Sequence, residues 1–158
     1  MLTKGVRVVI IQRKGSRELN NHKQLVEALK KVNGVSRVDI FAVTAANPTP
    51  WAFWKNWSQA DIVVGPHGAG FANMIAMPPW GHVVEVLAHK APNFMYAGVA
   101  LRLGLRYHSI IAHDMKHTSK GTPDVNEVTA AVHQAAQEIR ELQLTLGSKQ
   151  VVALCERR

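Results

Sequence analysis

The sequence predicts an α/β protein, a doubly wound parallel sheet covered by helices on both faces. Two observations predict it. Five short runs rich in Val and Ile alternate with stretches of helical spacing, in the order β-α-β-α-β-α-β-α-β. The stretches between them are punctuated by residues that start or stop helices: Gly34, Thr49-Pro50, Pro78-Pro79 and Gly104.

In chain order, residues 6–11 (Val-Arg-Val-Val-Ile-Ile) form a β-branched run that reads as a buried strand. Residues 19–32 follow with Leu25, Val26, Leu29 and Val32 at helical spacing. Lys30 and Lys31 suit that helix's C-terminal dipole, and Gly34 its stop. Residues 38–43 make a second strand. Thr49-Pro50 offers a capping hydroxyl and then proline at the first helical position. Trp51, Trp54 and Trp57 recur every three residues, a stripe read as core packing. Residues 61–65 are a third strand and 70–77 a short helix. Residues 83–87 are a fourth strand, 93–103 a helix and 106–112 a fifth strand.

The stretch 116–122 (Lys-His-Thr-Ser-Lys-Gly-Thr) is a linker to one last helix, which divides the chain into a body, 1–122, and a C-terminal helix and tail, 123–158. Asp124 and Glu127 form a capping box. Val125, Val128, Val132, Ala135, Ile139, Leu142 and Leu146 then lie on one stripe, which must bury against something. Either it packs along this domain's own sheet, or its far end, residues 139–146, reaches toward a domain absent from the chain. The second reading implies self-association through Leu142 and Leu146.

At 158 residues the chain has the length of one domain, and 47% apolar with 19% charged residues suits a folded core. No apolar run is long enough to span a bilayer, and no signal-peptide pattern stands at the start. The lone Cys155 excludes an internal disulfide framework and a cysteine-rich zinc site. Nineteen basic against eleven acidic residues leave +8, which favours an anionic partner. The basic residues form no long block and no base-reading motif, so a small phosphorylated ligand is expected rather than nucleic acid.

Gly65-Pro66-His67-Gly68-Ala69-Gly70 joins a hydrophobic strand to a helix. Glycines there let a backbone approach a ligand, and free N–H groups at a helix start favour phosphate. His67 can donate to a phosphate oxygen or a sugar, or simply cap the neighbouring helix. Arg13 and Arg17 flank the first strand-to-helix turn, where either a guanidinium fork holds phosphate or the side chains simply decorate a solvated turn, the reading that local sequence alone favours. Glu85 is an acid in an apolar strand: either it accepts ribose hydroxyls near the strand's exit, or it is buried and paired. Ligands in such sheets bind beyond the carboxyl ends of the strands, where Arg13, His67 and the residues after Val86 lie. His108, His113, Asp114 and His117 cluster in sequence, but they fall on a strand end and loop without a zincin glutamate, so no metal is expected.

Several ordered segments together are more specific. Ala60-Asp-Ile-Val-Val-Gly-Pro-His-Gly-Ala-Gly-Phe-Ala-Asn73, Met77-Pro78-Pro79 and Val83-Val-Glu85-Val, with Arg13 and Arg17-Glu-Leu-Asn-Asn21 upstream and 96–107 downstream, resemble glycosyltransferase family 61. Departures are His22, where an acidic residue is usual, and Trp80, where glycine is usual. The resemblance implies one half of a GT-B type fold, in which two Rossmann-like domains enclose the reaction. It implies an inverting, metal-independent enzyme that needs no cofactor. The donor would be a nucleotide sugar, UDP-xylose or UDP-N-acetylglucosamine, and the acceptor a glycan or glycoprotein. Arg13 and Arg17 would neutralise the diphosphate, His67 with the backbone of Gly68, Ala69, Gly70 and Phe71 would stabilise its charge, and Glu85 would hold the ribose. The general base and an N-terminal acceptor domain would lie elsewhere. A eukaryotic member would work in the ER or Golgi lumen. The alternative is a Rossmann-like module that binds a nucleotide without chemistry.

Overall fold

The computed structural model describes residues 5–42, 50–90 and 92–155, with the side chains of 50–53 and 146–155 left aside. Five parallel strands form one sheet: β1 (Val6–Gln12), β2 (Val35–Ala42), β3 (Ile62–Pro66), β4 (His82–Ala88) and β5 (Arg106–Ala112). Their order across the sheet is β2-β1-β3-β4-β5. Helices α1 (His22–Leu29), α2 (Pro50–Ser58), α3 (Met95–Arg102) and α4 (Val125–Cys155) and a 3-10 helix (Ala69–Ala76) connect and cover them. None of the described helices is long and apolar enough to cross a membrane.

Side chains alternate across a strand, so each strand feeds two cores. Val8, Ile10, Ile62, Val64, Val84 and Val86 face α1 and α4, while Val9, Ile11, Val63 and Val83 face the other helices. Fully burying such a side chain contributes about 1.5–3 kcal/mol, which is why β-branched runs on a two-faced sheet dominate this sequence. The α4 stripe joins the first core through Val128, Val132, Ala135 and Ile139. Leu142 is half-buried and the side chain of Leu146 lies outside the described ones. Asp124 caps α4 by accepting from the N–H of Asn126 at 2.6 Å.

Several elements differ from the sequence expectation. The first helix begins at His22 rather than at residue 19, because Leu19 bridges to Gly121 and Asn20 N–H donates to Gly121 O. The second strand starts at Val35, and residue 43 lies outside the described ones, as does Thr49. The tryptophan stripe splits: Trp57 is fully buried between Phe41 and Phe71, but Trp54 is 47% exposed, and the Trp51 side chain is not among those described. Residues 69–76 form a 3-10 helix, not an α-helix. Phe71 and Met74 are its buried residues, followed by buried Met77 just past its end, and a spacing of three keeps Phe71 and Met74 on one face at three residues per turn.

The strand order places a topological switch between β1 and β3. From β1 the chain turns outward to β2, and from β3 it turns the other way to β4. In open parallel sheets a switch point of this kind, where the two loops diverge at the carboxyl ends of the strands, is where a ligand crevice is expected.

Candidate functional site at the carboxyl edge of the sheet

The crevice is bounded by the loop after β1, which carries Arg13 and Arg17, and the loop after β3, which carries His67 and Gly68. Arg13 Nη1 donates to the carbonyl oxygen of His67 at 3.2 Å, and Arg17 Nη1 donates to the same oxygen at 3.0 Å. Neither arginine forms an ion pair with a carboxylate among the described residues, whereas Arg7 and Arg37 both pair with Asp39. Arg17 Nε is buried without a partner. Burial, and then the adjacent charge of Arg17, pull the Arg13 guanidinium below its ordinary value. Two adjacent cations thus stand without a carboxylate partner among the described residues.

Local backbone strain supports that placement. Arg17 has φ +59°, a left-handed conformation uncommon for any side-chain-bearing residue. Its loop is tied to the linker before α4, where Asn21 Nδ2 donates to Pro123 O at 2.9 Å. Gly68 has φ +155° and ψ 174°, a region that only glycine occupies readily. A Cβ at Gly68 would run into the Arg13 guanidinium and lie 3.5 Å from Arg17 Nη1. The backbone conformation favours glycine, and any side chain here would also push the Arg13 guanidinium from its place.

Of the residues read from sequence, Arg13, Arg17, His67, Gly68, Ala69 and Gly70 come together at this edge. Two need correction. Phe71 closes the first 3-10 turn by donating its N–H to Gly68 O at 3.0 Å, and its ring is fully buried against Trp57 and Tyr96. That N–H is not free for phosphate, whereas those of Ala69 and Gly70 precede the turn's first hydrogen bond. Glu85 is not at an open strand exit. It is 0% exposed, with Oε1 2.7 Å from His67 Nδ1 and Oε2 accepting from Tyr107 OH at 2.6 Å. The carboxyl is buried and paired, the second of the two readings, and it is burial that keeps a ribose from its oxygens.

Strand register explains this pairing. Glu85 stands opposite Gly65 on β3 and Ser109 on β5. His67 and Tyr107 are each two residues from those positions, so they flank Glu85 diagonally on the same sheet face. Burial pushes the Glu85 carboxyl up, against the hydrogen bonds from Tyr107 and His67 that favour its charge. Burial and the Glu85 carboxylate in turn raise the Tyr107 phenol.

Residue-by-residue reading of the sequence misses Tyr96. It lies on α3 with its ring 5.4 Å from that of His67 and 5.7 Å from that of Phe71, and its phenol is raised by burial and by Glu85. A small recess beside the arginines is lined by Arg17, His67, Leu87, Ala88, Asn93 and His117. The histidines that cluster in sequence do not converge in space. His108 Nε2 lies 3.1 Å from His82 Nδ1 at the opposite end of the sheet, and the His113 ring packs on His89. The two departures from the family pattern are accommodated structurally. His22 is buried and held below the ordinary histidine range by that burial, and Trp80 Nε1 donates to Asp61 at 3.4 Å.

Fold and crevice define a doubly wound α/β domain whose carboxyl edge presents two arginines without carboxylate partners among the described residues. The chain belongs to glycosyltransferase family 61: the family model described as Glycosyltransferase 61 matches residues 2–84. It is similar to the EGF domain-specific O-linked N-acetylglucosamine transferase of Drosophila melanogaster, 29% identical over 51% of this chain. The chain spans 18% of that relative's length. Among solved structures it is similar to a diflavin flavoprotein A3 from Nostoc sp., with a TM-score of 0.55 and 9% identity over 88% of this chain and 94% of that one. A putative pilus assembly-related protein of Burkholderia pseudomallei gives a TM-score of 0.48 at 9% identity, over 87% and 94% of the two chains. The flavoprotein likeness shows the fold alone, and agrees with the strand order.

Proposed function

We propose that this chain is the donor-binding half of a glycosyltransferase, and that its crevice holds the diphosphate of a nucleotide sugar. The observation that carries this reading is the convergence of Arg13 and Arg17 on one carbonyl, with no carboxylate among the described residues to neutralise either. Each guanidinium uses one nitrogen on His67 O and keeps others for a ligand. The N–H groups of Ala69 and Gly70 and the side chain of His67 add donors on the opposite wall. Family membership and the name of the Drosophila relative support a sugar transfer, and that name suggests N-acetylglucosamine as one donor sugar; xylose, and a glycan or glycoprotein acceptor, are what the family resemblance implies.

In the inverting reaction, an acceptor hydroxyl attacks the anomeric carbon from the face opposite the diphosphate. The bond between that carbon and the diphosphate oxygen breaks, and the hydroxyl proton passes to a base. Negative charge grows on the diphosphate as it leaves, and two fixed guanidinium groups stabilise it more in the transition state than in the ground state. They supply the positive charge that a divalent metal would otherwise bring, so donor binding is expected to be metal-independent. The base and the acceptor would belong to a partner domain, in keeping with the share of the relative that this chain spans.

The test is calorimetric titration of UDP, a UDP-sugar and a short single-stranded oligonucleotide into the purified chain. Saturable one-to-one binding of both UDP ligands, with only weak and salt-sensitive oligonucleotide binding, is expected. Tighter binding of the oligonucleotide than of UDP would assign the +8 charge to nucleic acid instead.

A further inference from the structure

We propose that His67 and Glu85 act as one protonic unit, held by Tyr107, whose proton-bearing state presents His67 Nε2–H to a diphosphate oxygen of the donor. This rests on the donor-binding reading above. The geometry is a 2.7 Å contact between His67 Nδ1 and Glu85 Oε1, with Tyr107 OH donating to the other carboxyl oxygen at 2.6 Å. His67 Nε2 has no hydrogen bond among the described residues, and the His67 side chain lines the recess that Arg17 also lines.

Proton counting gives the consequence. A contact of 2.7 Å between nitrogen and oxygen has a proton in it. When the pair holds its full complement, it is either imidazolium with carboxylate, or a carboxyl group donating to Nδ1 of a neutral ring. In both arrangements the second ring proton is on Nε2. When the pair loses one proton, the buried carboxylate keeps its donor at Nδ1, and Nε2 becomes a bare lone pair. That lone pair would repel a phosphate oxygen. The unit therefore turns one buried acid into control of a ligand contact it does not itself touch.

The charged and titratable groups facing the His67 ring are Glu85 on β4, Tyr107 on β5, Tyr96 on α3, Arg13 and Arg17 on the first loop, and His117 across the recess. An arriving diphosphate brings negative charge beside the ring, so binding should draw a proton onto the pair as pH rises. Tyr107 and Glu85 are positioning residues here, since neither reaches the ligand.

The experiment has two arms on the whole chain. Nitrogen-15 spectra of the histidine rings report which His67 nitrogen carries a proton, with and without UDP. Calorimetry then gives UDP and uridine affinity against pH for wild type, Glu85→Gln and Tyr107→Phe. Expected are a protonated Nε2 in the UDP complex and a wild-type UDP affinity that falls by up to about tenfold per pH unit as the pair loses its proton. Uridine affinity should stay flat. Glu85→Gln can turn either its amide oxygen or its NH2 toward Nδ1, so its UDP affinity should follow the ring tautomer that its own spectrum reports, weaker with Nδ1–H and retained with Nε2–H. Tyr107→Phe removes a hydrogen bond that favours the carboxylate, so the pair should keep its proton to higher pH and the fall in UDP affinity should move upward in pH. An unprotonated Nε2 in the UDP complex, or a wild-type UDP affinity that does not fall where the spectra show the pair losing its proton, would overturn the proposal. If Glu85→Gln fails to fold, the wild-type profile and Tyr107→Phe decide it. If wild type binds no UDP, the donor reading itself fails, and the spectrum of the free protein still shows whether the pair places its proton as argued.

Discussion

Arg13 and Arg17 donate to one and the same acceptor, the carbonyl oxygen of His67, at 3.2 and 3.0 Å. A single carbonyl thereby ties the loop after β1 to the loop after β3 across the switch point of the sheet. Like charges are brought together, and no carboxylate among the described residues neutralises them.

Removing either arginine should weaken donor binding by the worth of a charge-assisted hydrogen bond. Arg13→Ala and Arg17→Ala are each expected to weaken UDP binding by about 1.5–3 kcal/mol, while uridine binding changes far less. Arg17→Lys should recover only part of that affinity, because an ammonium cannot hold His67 O and a phosphate through one planar fork. Equal effects on UDP and uridine in calorimetry would place the arginines in folding rather than in phosphate recognition.

Gly68→Val should abolish UDP binding and destabilise the chain moderately. Its Cβ would displace the Arg13 guanidinium, and its backbone would be strained at φ +155° by about 1–3 kcal/mol. A thermal melt alongside calorimetry checks both parts. A folded Gly68→Val protein that binds UDP as wild type does would remove the loop from the site.

Much of this architecture is legible in the sequence, for identifiable reasons. A sheet buried on both faces needs runs such as residues 8–11, and nothing in the chain competes with that pattern. The arginines and the glycine loop stand at strand ends, where the fold class alone predicts a site. What local spacing does not carry is the long-range partner. Glu85 stands near a strand end, which suggests exposure, but His67 and Tyr107 reach it from the two neighbouring strands. The start of α1 is displaced because Leu19 pairs with Gly121, about a hundred residues away. The 3-10 helix does have a sequence signal, Phe71, Met74 and Met77 spaced by three, but a search tuned to a period of 3.6 passes over it. Family membership rests on the residues themselves.

Stability should fall in mild acid because of His82, at the end of the sheet away from the crevice. His82 is 2% exposed, and burial, with the nearby charge of His108, pulls it from 6.5 to about 4. Glu138, 3.8 Å from His82 Nε2, pulls weakly the other way, and Arg106 adds to the depression. The folded value lies below the unfolded one, so the contribution is fully present above about pH 6.5 and is lost as pH falls toward 4. The loss is on the order of 3 kcal/mol. Urea unfolding between pH 7 and 4 should show it, and His82→Leu should flatten the profile. An unchanged slope in His82→Leu would assign the acid sensitivity to other groups.

The α4 stripe yields a stability prediction that also bears on its second reading. Ile139 is 1% exposed in the core with Val128, Val132 and Ala135, so Ile139→Ala should cost about 2–5 kcal/mol in denaturant unfolding. Leu142, half-buried beside Trp80 at the next turn, should cost less when changed to Glu, and that change should dissolve any concentration-dependent dimer seen in sedimentation. A dimer untouched by Leu142→Glu would move self-association to another surface.

The central claim is that this crevice recognises a nucleoside diphosphate through its phosphates. Calorimetry of UDP and of uridine, each titrated into wild type and into the Arg13→Ala/Arg17→Ala double variant, tests it most directly. The predicted result is UDP binding to wild type that is much tighter than uridine binding, with that difference abolished in a double variant that melts as a folded protein. Equal affinity for UDP and uridine in wild type, or an undiminished preference for UDP in the double variant, would contradict it.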